Sequence, residues 1–278
     1  MRVLAGTIIP WLIWVAFQAA GAMAQTLYVP AAAHIEGVNH TRWRTDLQVK
    51  AHGGEAATFV VELLQRDADN TEPLAIERNL GPGESLRMTD ILETGFGLTG
   101  AGALRIRATS GRILVSSRTY NDDPDGSYGQ AVPSVAEDQA TGSPHHVALI
   151  QLSRSPDLET GFRTNIGLVN VSGVPITIEI GLYLADGTFI GSLTADLLPF
   201  GFHQVNDIFH LAGEDAVADG YAIVGTGTEG GRFIAYASVV DNRSGDAVFL
   251  LGQPDVVAPE PPPAQERLVV FESFVRPG

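Results

Sequence analysis

Four short landmarks occur twice in this chain, in the same order, and that recurrence restricts the fold more than any other feature. Arg44-Thr45-Asp46-Leu47 returns as Arg163-Thr164-Asn165-Ile166, and Thr89-Asp90-Ile91 as Asn206-Asp207-Ile208. Gly111-Arg112-Ile113-Leu114 returns as Gly231-Arg232-Phe233-Ile234, and Gly129-Gln130 as Gly252-Gln253. The offsets are 119, 117, 120 and 123 residues. A period of about 120 residues is far longer than a solenoid repeat and matches a duplicated domain. It places one domain at 25–140 and a second at 141–255, divided within the polar stretch 137–143 ahead of Pro144. Leu-Glu-Thr-Gly-Phe, at 92–96 and again at 158–162, stands at non-equivalent places and is read as coincidence.

Each repeat reads as β. Ile176, Ile178, Ile180, Leu182 and Leu184 alternate with Thr177, Glu179, Gly181 and Tyr183, a period of two that turns one apolar face inward. Asp186-Gly187 then supplies a hairpin turn, because both residue types tolerate positive φ, and 189–197 returns as the partner strand. The first repeat runs through 57–64, a polar turn at 67–72 and 74–80 in the same order. Single helical turns begin near Thr89 and Asn206 and are stopped by Gly95 and Gly213. The expected fold is all-β: two tandem antiparallel β-sandwich domains from an internal duplication, after an N-terminal signal peptide.

That signal is read at 1–24. Arg2 precedes an apolar run at 3–20, and Ala22 and Ala24 put small residues at the cleavage positions. A retained anchor is the competing reading, since the run approaches the length of a membrane span. The expected location is secreted, periplasmic or extracellular, with no membrane segment after cleavage. Residues 256–278 are a Pro-rich linker followed by an apolar segment, Leu268-Val269-Val270-Phe271 and Phe274-Val275. That segment either docks as a last strand on its own domain or is donated to a partner's sheet edge.

Several stretches are similar to a known family. Trp43-Arg44-Thr45-Asp46-Leu47, Ser117-Arg118-Thr119-Tyr120-Asn121 followed by Gly129-Gln130, and Ala235-Tyr236-Ala237-Ser238-Val239-Val240-Asp241-Asn242 resemble a tandem-repeat β-sandwich domain of bacterial secreted proteins with no assigned function. The resemblance spans most of 25–255. It implies an exported β-sandwich and carries no catalytic residue to this chain.

Composition narrows the chemistry further. The chain of 278 residues carries a formal charge of −15, so nucleic acid is not an expected partner. It has no cysteine, which removes disulfides, thiolate metal sites and a cysteine nucleophile. Lys50 is the single lysine, leaving little for P-loop or Schiff-base chemistry. Neither a Gly-x-Ser-x-Gly elbow nor a His-Glu-x-x-His run occurs, and the chain is not expected to be an enzyme. No cofactor is expected, with calcium as one exception to weigh. Asp122, Asp123 and Asp125 supply hard oxygen ligands in a loop ending at Gly126, against the simpler reading of a polar hairpin turn.

The arginines divide into two groups. Arg44 and Arg163 recur in both repeats, as do Asp90 and Asp207, so Arg44–Asp90 and Arg163–Asp207 are expected as structural ion pairs. Arg105, Arg107 and Arg118 belong to the first repeat alone. Arg105 and Arg107 alternate with apolar residues on the outer face of a strand, where they either guard an edge or form a cationic patch. With Tyr120 and Tyr128, that patch would suit an anionic glycan or a surface protein. The leading function is an exported non-catalytic binding or structural module. Alternatives are a carbohydrate-binding protein using Tyr28, Trp43, Tyr120 and Tyr128, or a hydrolase without a recognisable motif.

Overall fold

The computed structural model describes residues 25–157, 159–255 and 268–270. The expected signal at 1–24, the Pro-rich linker at 256–267 and the rest of the apolar segment at 271–278 lie outside them. The chain is all-β, with antiparallel sheets of which none closes into a barrel. Its first half contains β1 (Thr26–Glu36), β2 (Arg42–His52), β3 (Ala57–Gln65), β4 (Leu74–Leu80) and β5 (Ser85–Met88). A short helix α1 (Ile91–Phe96) leads to β6 (Gly100–Ser110), β7 (Arg112–Asp123), β8 (Gly126–Pro133) and β9 (Val135–Ala136). After β10 (Thr141–Gly142), the second half contains β11 (His146–Arg154), β12 (Phe162–Asn170), β13 (Ile176–Leu184), β14 (Phe189–Leu197) and β15 (Phe202–Val205). Helix α2 (Ile208–Leu211) leads to β16 (Val217–Gly225), β17 (Arg232–Asp241), β18 (Ala247–Leu251) and β19 (Gln253–Asp255). The last strand is β20 (Leu268–Val270).

In the first half, β4-β3-β6-β1 form sheet I, with β9 on the edge of β1, and β5-β2-β7-β8 form sheet II. The end of β1 also pairs with β2, joining the two sheets. In the second half, β15-β12-β17-β18 form sheet III, and β19-β11-β16-β13-β14 form sheet IV. The pairing order of β1 to β9 thus recurs in β11 to β19, with β3 and β13 in the same place. β20 extends sheet IV by pairing parallel to β14, Ser192 opposite Leu268 and Thr194 opposite Val270. The alternation read in β13 is present: Ile176, Ile178, Ile180 and Leu182 are buried, Thr177 and Glu179 exposed.

The two halves share apolar core. Strands β12 and β17 are buried along nearly their whole length, on both faces. Ile166, Leu168, Phe233, Ala235 and Ala237 point into the second half, while Val169, Ile234 and Tyr236 join Phe202 in the core of the first. Polar contacts finish the joint: Gln130 Nε2 donates to Ser238 Oγ at 3.2 Å, and Asn121 Nδ2 to the Ser244 carbonyl at 3.2 Å.

Within the expected cationic patch, Arg105 and Arg107 share one carboxylate. Arg105 and Arg107 do project from the face of β6 opposite Leu104 and Ile106, but neither is free. Buried Glu62, directly across from Arg105 on β3, takes Arg105 Nε at 2.5 Å and Arg107 Nη2 at 2.6 Å. The Arg105 guanidinium also lies 4.5 Å from the ring centre of Phe200, which comes from the second half. Nearby Tyr28 is fully buried, and burial pushes its hydroxyl up to about 12 against the opposing charge of Arg105.

The recurrent carboxylates are held in a way that corrects one expected pair. Asp90 and Asp207 both precede their helices in the left-handed region, φ 46° and 47°. Each N–H is taken by a side-chain carbonyl oxygen from the neighbouring strand, Asp46 Oδ1 at 3.0 Å and Asn165 Oδ1 at 3.0 Å. The preceding threonines also match: Thr45 Oγ1 accepts the Ala33 N–H and Thr164 Oγ1 the Ser153 N–H. The nearest basic side chain on each carboxylate comes from β1 or β11. His34 Nδ1 is 2.8 Å from Asp90 and Arg154 Nε is 2.9 Å from Asp207. Arg44 stands second to His34, at 3.5 Å from Asp90. Arg163 is not the partner of Asp207; its Nη1 donates to Asn242 Oδ1 at 2.8 Å, and burial pulls its guanidinium down. Asn242 is itself anchored on the carbonyls of Asp157 and Thr160, so it offers Arg163 a fixed neutral acceptor.

Two predictions follow from these ion pairs. Arg154 is 4% exposed at its side chain, so Arg154→Gln should destabilise by about 3–5 kcal/mol, because the Asp207 charge loses its near partner. Arg44→Gln should cost under about 1 kcal/mol, since His34 holds Asp90 already; paired urea melts check the contrast. For Glu62, burial raises the carboxyl, but hydrogen bonds and charges from Arg107 and Arg105 outweigh it and hold it below its ordinary 4.5. Its stabilisation is therefore present above that ordinary value and lost as pH falls through the lower folded one. Glu62→Gln should cost about 3–5 kcal/mol at pH 7 and flatten the acid side of the stability–pH curve measured by thermal melts.

Candidate functional site

The residues expected to bind ligand do not gather. Arg118 and Tyr120 lie together on sheet II, the guanidinium 4.8 Å from the Tyr120 ring centre and Nη2 3.0 Å from the Ser127 carbonyl. The Tyr120 hydroxyl donates to Asp46 Oδ1 at 3.4 Å, and burial with that carboxylate raises its pKa. Tyr128 is paired with Asn121, one residue along from Tyr120, and so faces the other side of the sheet. Arg105 and Arg107 belong to sheet I and share the single carboxylate of Glu62.

The acidic loop is a hairpin turn. Asp122 pairs with Ser127 and Asp123 with Gly126, and Asp123 Oδ1 accepts the Asp125 N–H at 2.9 Å. Among the described residues no three His, Asp or Glu side chains converge as metal ligands. Asp122, Asp123 and Asp125, the residues of the expected calcium site, stand in this turn.

A concave site lies elsewhere, along the second half. A cleft of about 950 Å³ runs between the edge of sheet IV at β14 and the edge of sheet III at β15. Its apolar floor includes Ile176, Leu197, Phe202 and Leu211. Helix α2 spans only 4 residues where α1 spans 6. In the first half the longer helix packs against β4, with Ile91 and Ile76 in contact range around Gly95, so the equivalent seam is filled. The shorter α2 packs on β12 and leaves the seam beside β14 open.

Part of the polar wall comes from the first half of the chain. The loop after β3 crosses to β15, where Asp67 donates its N–H to the Phe202 carbonyl at 2.9 Å and Arg66 Nη2 donates to the Gln204 carbonyl at 2.8 Å. Asp67 takes the left-handed φ of 55° there. That conformation is reached at a cost that the new hydrogen bonds offset. His203 Nδ1 meets Asp67 Oδ1 at 2.6 Å, and Arg66 Nε meets Asp67 Oδ2 at 3.2 Å. The His203 hydrogen bond, with smaller help from Arg66, holds the Asp67 carboxyl below the usual range. A second carboxylate in the cleft, Asp196, accepts the Thr177 hydroxyl at 2.6 Å.

The contact between Asp67 and His203 is invisible in the sequence. They are 136 residues apart and belong to different repeats at non-equivalent places, so no spacing connects them. No helix among the described residues is long and apolar enough to cross a membrane. No family model matches the chain, nor does any curated protein or solved structure.

Proposed function

We propose that this chain is an exported, non-catalytic binding module of two duplicated β-sandwich domains, with the lateral cleft as its ligand site. The observation that carries this reading is the cleft: an apolar floor from the second half, with charged groups from both halves on its wall. Such a concave, mainly apolar site with a few placed polar groups is the usual form of a ligand pocket. Duplication is supported by the ordered landmarks and by the recurrence of strand pairing from β1 to β9 in β11 to β19. Export is supported by the small residues Ala22 and Ala24 after the apolar run, as is a location outside the cytoplasm.

The cleft suits an amphipathic ligand, apolar where it meets Leu197 and Phe202 and polar toward His203 and Asp67. A glycan reading has less support. Tyr28 is buried, Tyr120 carries Arg118 on its ring and Tyr128 faces away from Tyr120, so these tyrosines form no stacking row. Peptide and glycan arrays probed with the full chain test the proposal. Leu198 lines the cleft at 43% exposure, a position that tolerates substitution. Leu198→Glu should weaken binding of an array ligand at least ~10-fold, the effect of losing roughly 1.4 kcal/mol, with thermal stability unchanged. Undiminished binding by that variant would show that the ligand sits elsewhere.

A further inference from the structure

On the reading of the lateral cleft as the ligand site, we propose that it receives the arginine or lysine side chain of a peptide, with the aliphatic stem over Ala195 and the charged head at the rim beside Asp196. The first half carries its own version of that side chain. There Arg78 stands opposite Phe59 and Asn79 opposite Thr58, across β3 and β4. In the second half Ala195 stands opposite Ile178 and Asp196 opposite Thr177, across β13 and β14. Phe59 to Ile178 and Thr58 to Thr177 are both steps of 119 residues, an offset already found between the landmarks. The side-chain bonds agree. The Thr58 hydroxyl donates to Asn79 Oδ1 at 2.8 Å, and the Thr177 hydroxyl to Asp196 Oδ1 at 2.6 Å. Arg78-Asn79 and Ala195-Asp196 are therefore the same place in the two halves.

They differ in size and in charge. Directly opposite residues share a face of the sheet, so Arg78 projects on the core side with buried Phe59. Its head stays in solvent, where Nη1 donates to the Glu77 carbonyl at 2.8 Å. A long cationic side chain so placed covers apolar surface with its stem. Ala195 has no such stem, and Met88, opposite Leu47, gives way to the shorter Val205, opposite Ile166. Ala195 and Val205 both line the cleft. The charge changes from +1 on Arg78-Asn79 to −1 on Ala195-Asp196, so the open seam is two charges more negative than the closed one. An aliphatic cation restores both volume and charge, whereas a neutral or acidic apolar group restores volume alone. The other charged groups facing the cleft, Arg66, Asp67 and His203, pair with one another, while Asp196 is held by a neutral hydroxyl. The formal charge of −15 on the whole chain also draws cations toward it. At about 950 Å³ the cleft lies at the upper end of the range for ligand pockets, with room for several residues around the cation, which favours a peptide over a free amine.

The test uses the full chain, immobilised, and four hexapeptide libraries, each randomised except for one fixed residue: arginine, lysine, citrulline or glutamate. Citrulline keeps the arginine stem and removes its charge. The arginine and lysine libraries should be retained about 3–5-fold more than the citrulline library at low ionic strength, the range of a solvent-exposed ion pair, and added salt should erase the difference. Asp196→Asn keeps an acceptor for the Thr177 hydroxyl, as Asn79 does for Thr58, and should abolish the preference without altering citrulline retention. Ala195→Arg with Asp196→Asn rebuilds the first-half pair and should lower retention of all four libraries. Equal retention of the citrulline library, or a cationic preference that survives Asp196→Asn, would overturn the proposal; the second result would mean general attraction to an acidic chain. Preference for the glutamate library would overturn it as well, placing the head group on Arg66 and His203. If peptides are retained without cationic preference and Leu198→Glu still weakens them, the cleft remains the ligand site and this assignment alone fails. If Leu198→Glu changes nothing, the cleft reading fails with it.

Discussion

Burial of sheet III on both faces is the constraint on which the rest of the molecule depends. A strand with one buried face alternates apolar and polar residues, whereas β12 and β17 cannot, because solvent reaches neither face along most of their length. Phe233 and Ala235 serve the second half while Ile234 and Tyr236 serve the first. The halves are consequently not independent beads on a string. Fully burying a side chain of this size stabilises by about 1.5–3 kcal/mol, and Ile234 and Tyr236 bring that gain only while the halves stay together.

The joint also explains why charge is placed where it is. Glu62, Arg105 and Arg107 sit on a face that the equivalent strands of the second half furnish with Gly181, Ile223 and Gly225. Removing a carboxylate from water is costly, and two guanidinium groups with short hydrogen bonds are what offset it here. The same meeting of halves brings Arg66 and Asp67 to β15, giving the cleft a charged wall that neither half possesses alone. The charged wall of the cleft is thus completed where the two halves meet.

A second device operates inside each half. An aspartate in the left-handed region costs roughly 1–2 kcal/mol, and in both halves a side-chain carbonyl oxygen on the neighbouring strand holds its N–H in place. Asp46 and Asn165 are equivalent in that role despite their different charge, since an amide oxygen accepts the bond as a carboxylate oxygen does. The side chain that answers the carboxylate has changed type, from His34 to Arg154. That change hid the correspondence from a comparison of residue identities, and Arg44 and Arg163 were the more visible but weaker choice.

The period-two alternation of 176–184, the Asp186-Gly187 turn and the ordered landmarks determined the strands and their order directly from sequence. Each is a local property, set by which side chains face one way and which residues accept positive φ. The outward direction of Arg105 and Arg107 was legible for the same reason. What covers them was not, because Glu62 and Phe200 reach them from 43 and 95 positions away along the chain. The cleft is the extreme case. Asp67 and His203 become neighbours only when the loop after β3 crosses to β15, and the opening beside them depends on a helix two residues shorter than its counterpart. Local pattern decides how a strand is made; which strand's free edge meets which loop is decided by packing across the whole chain.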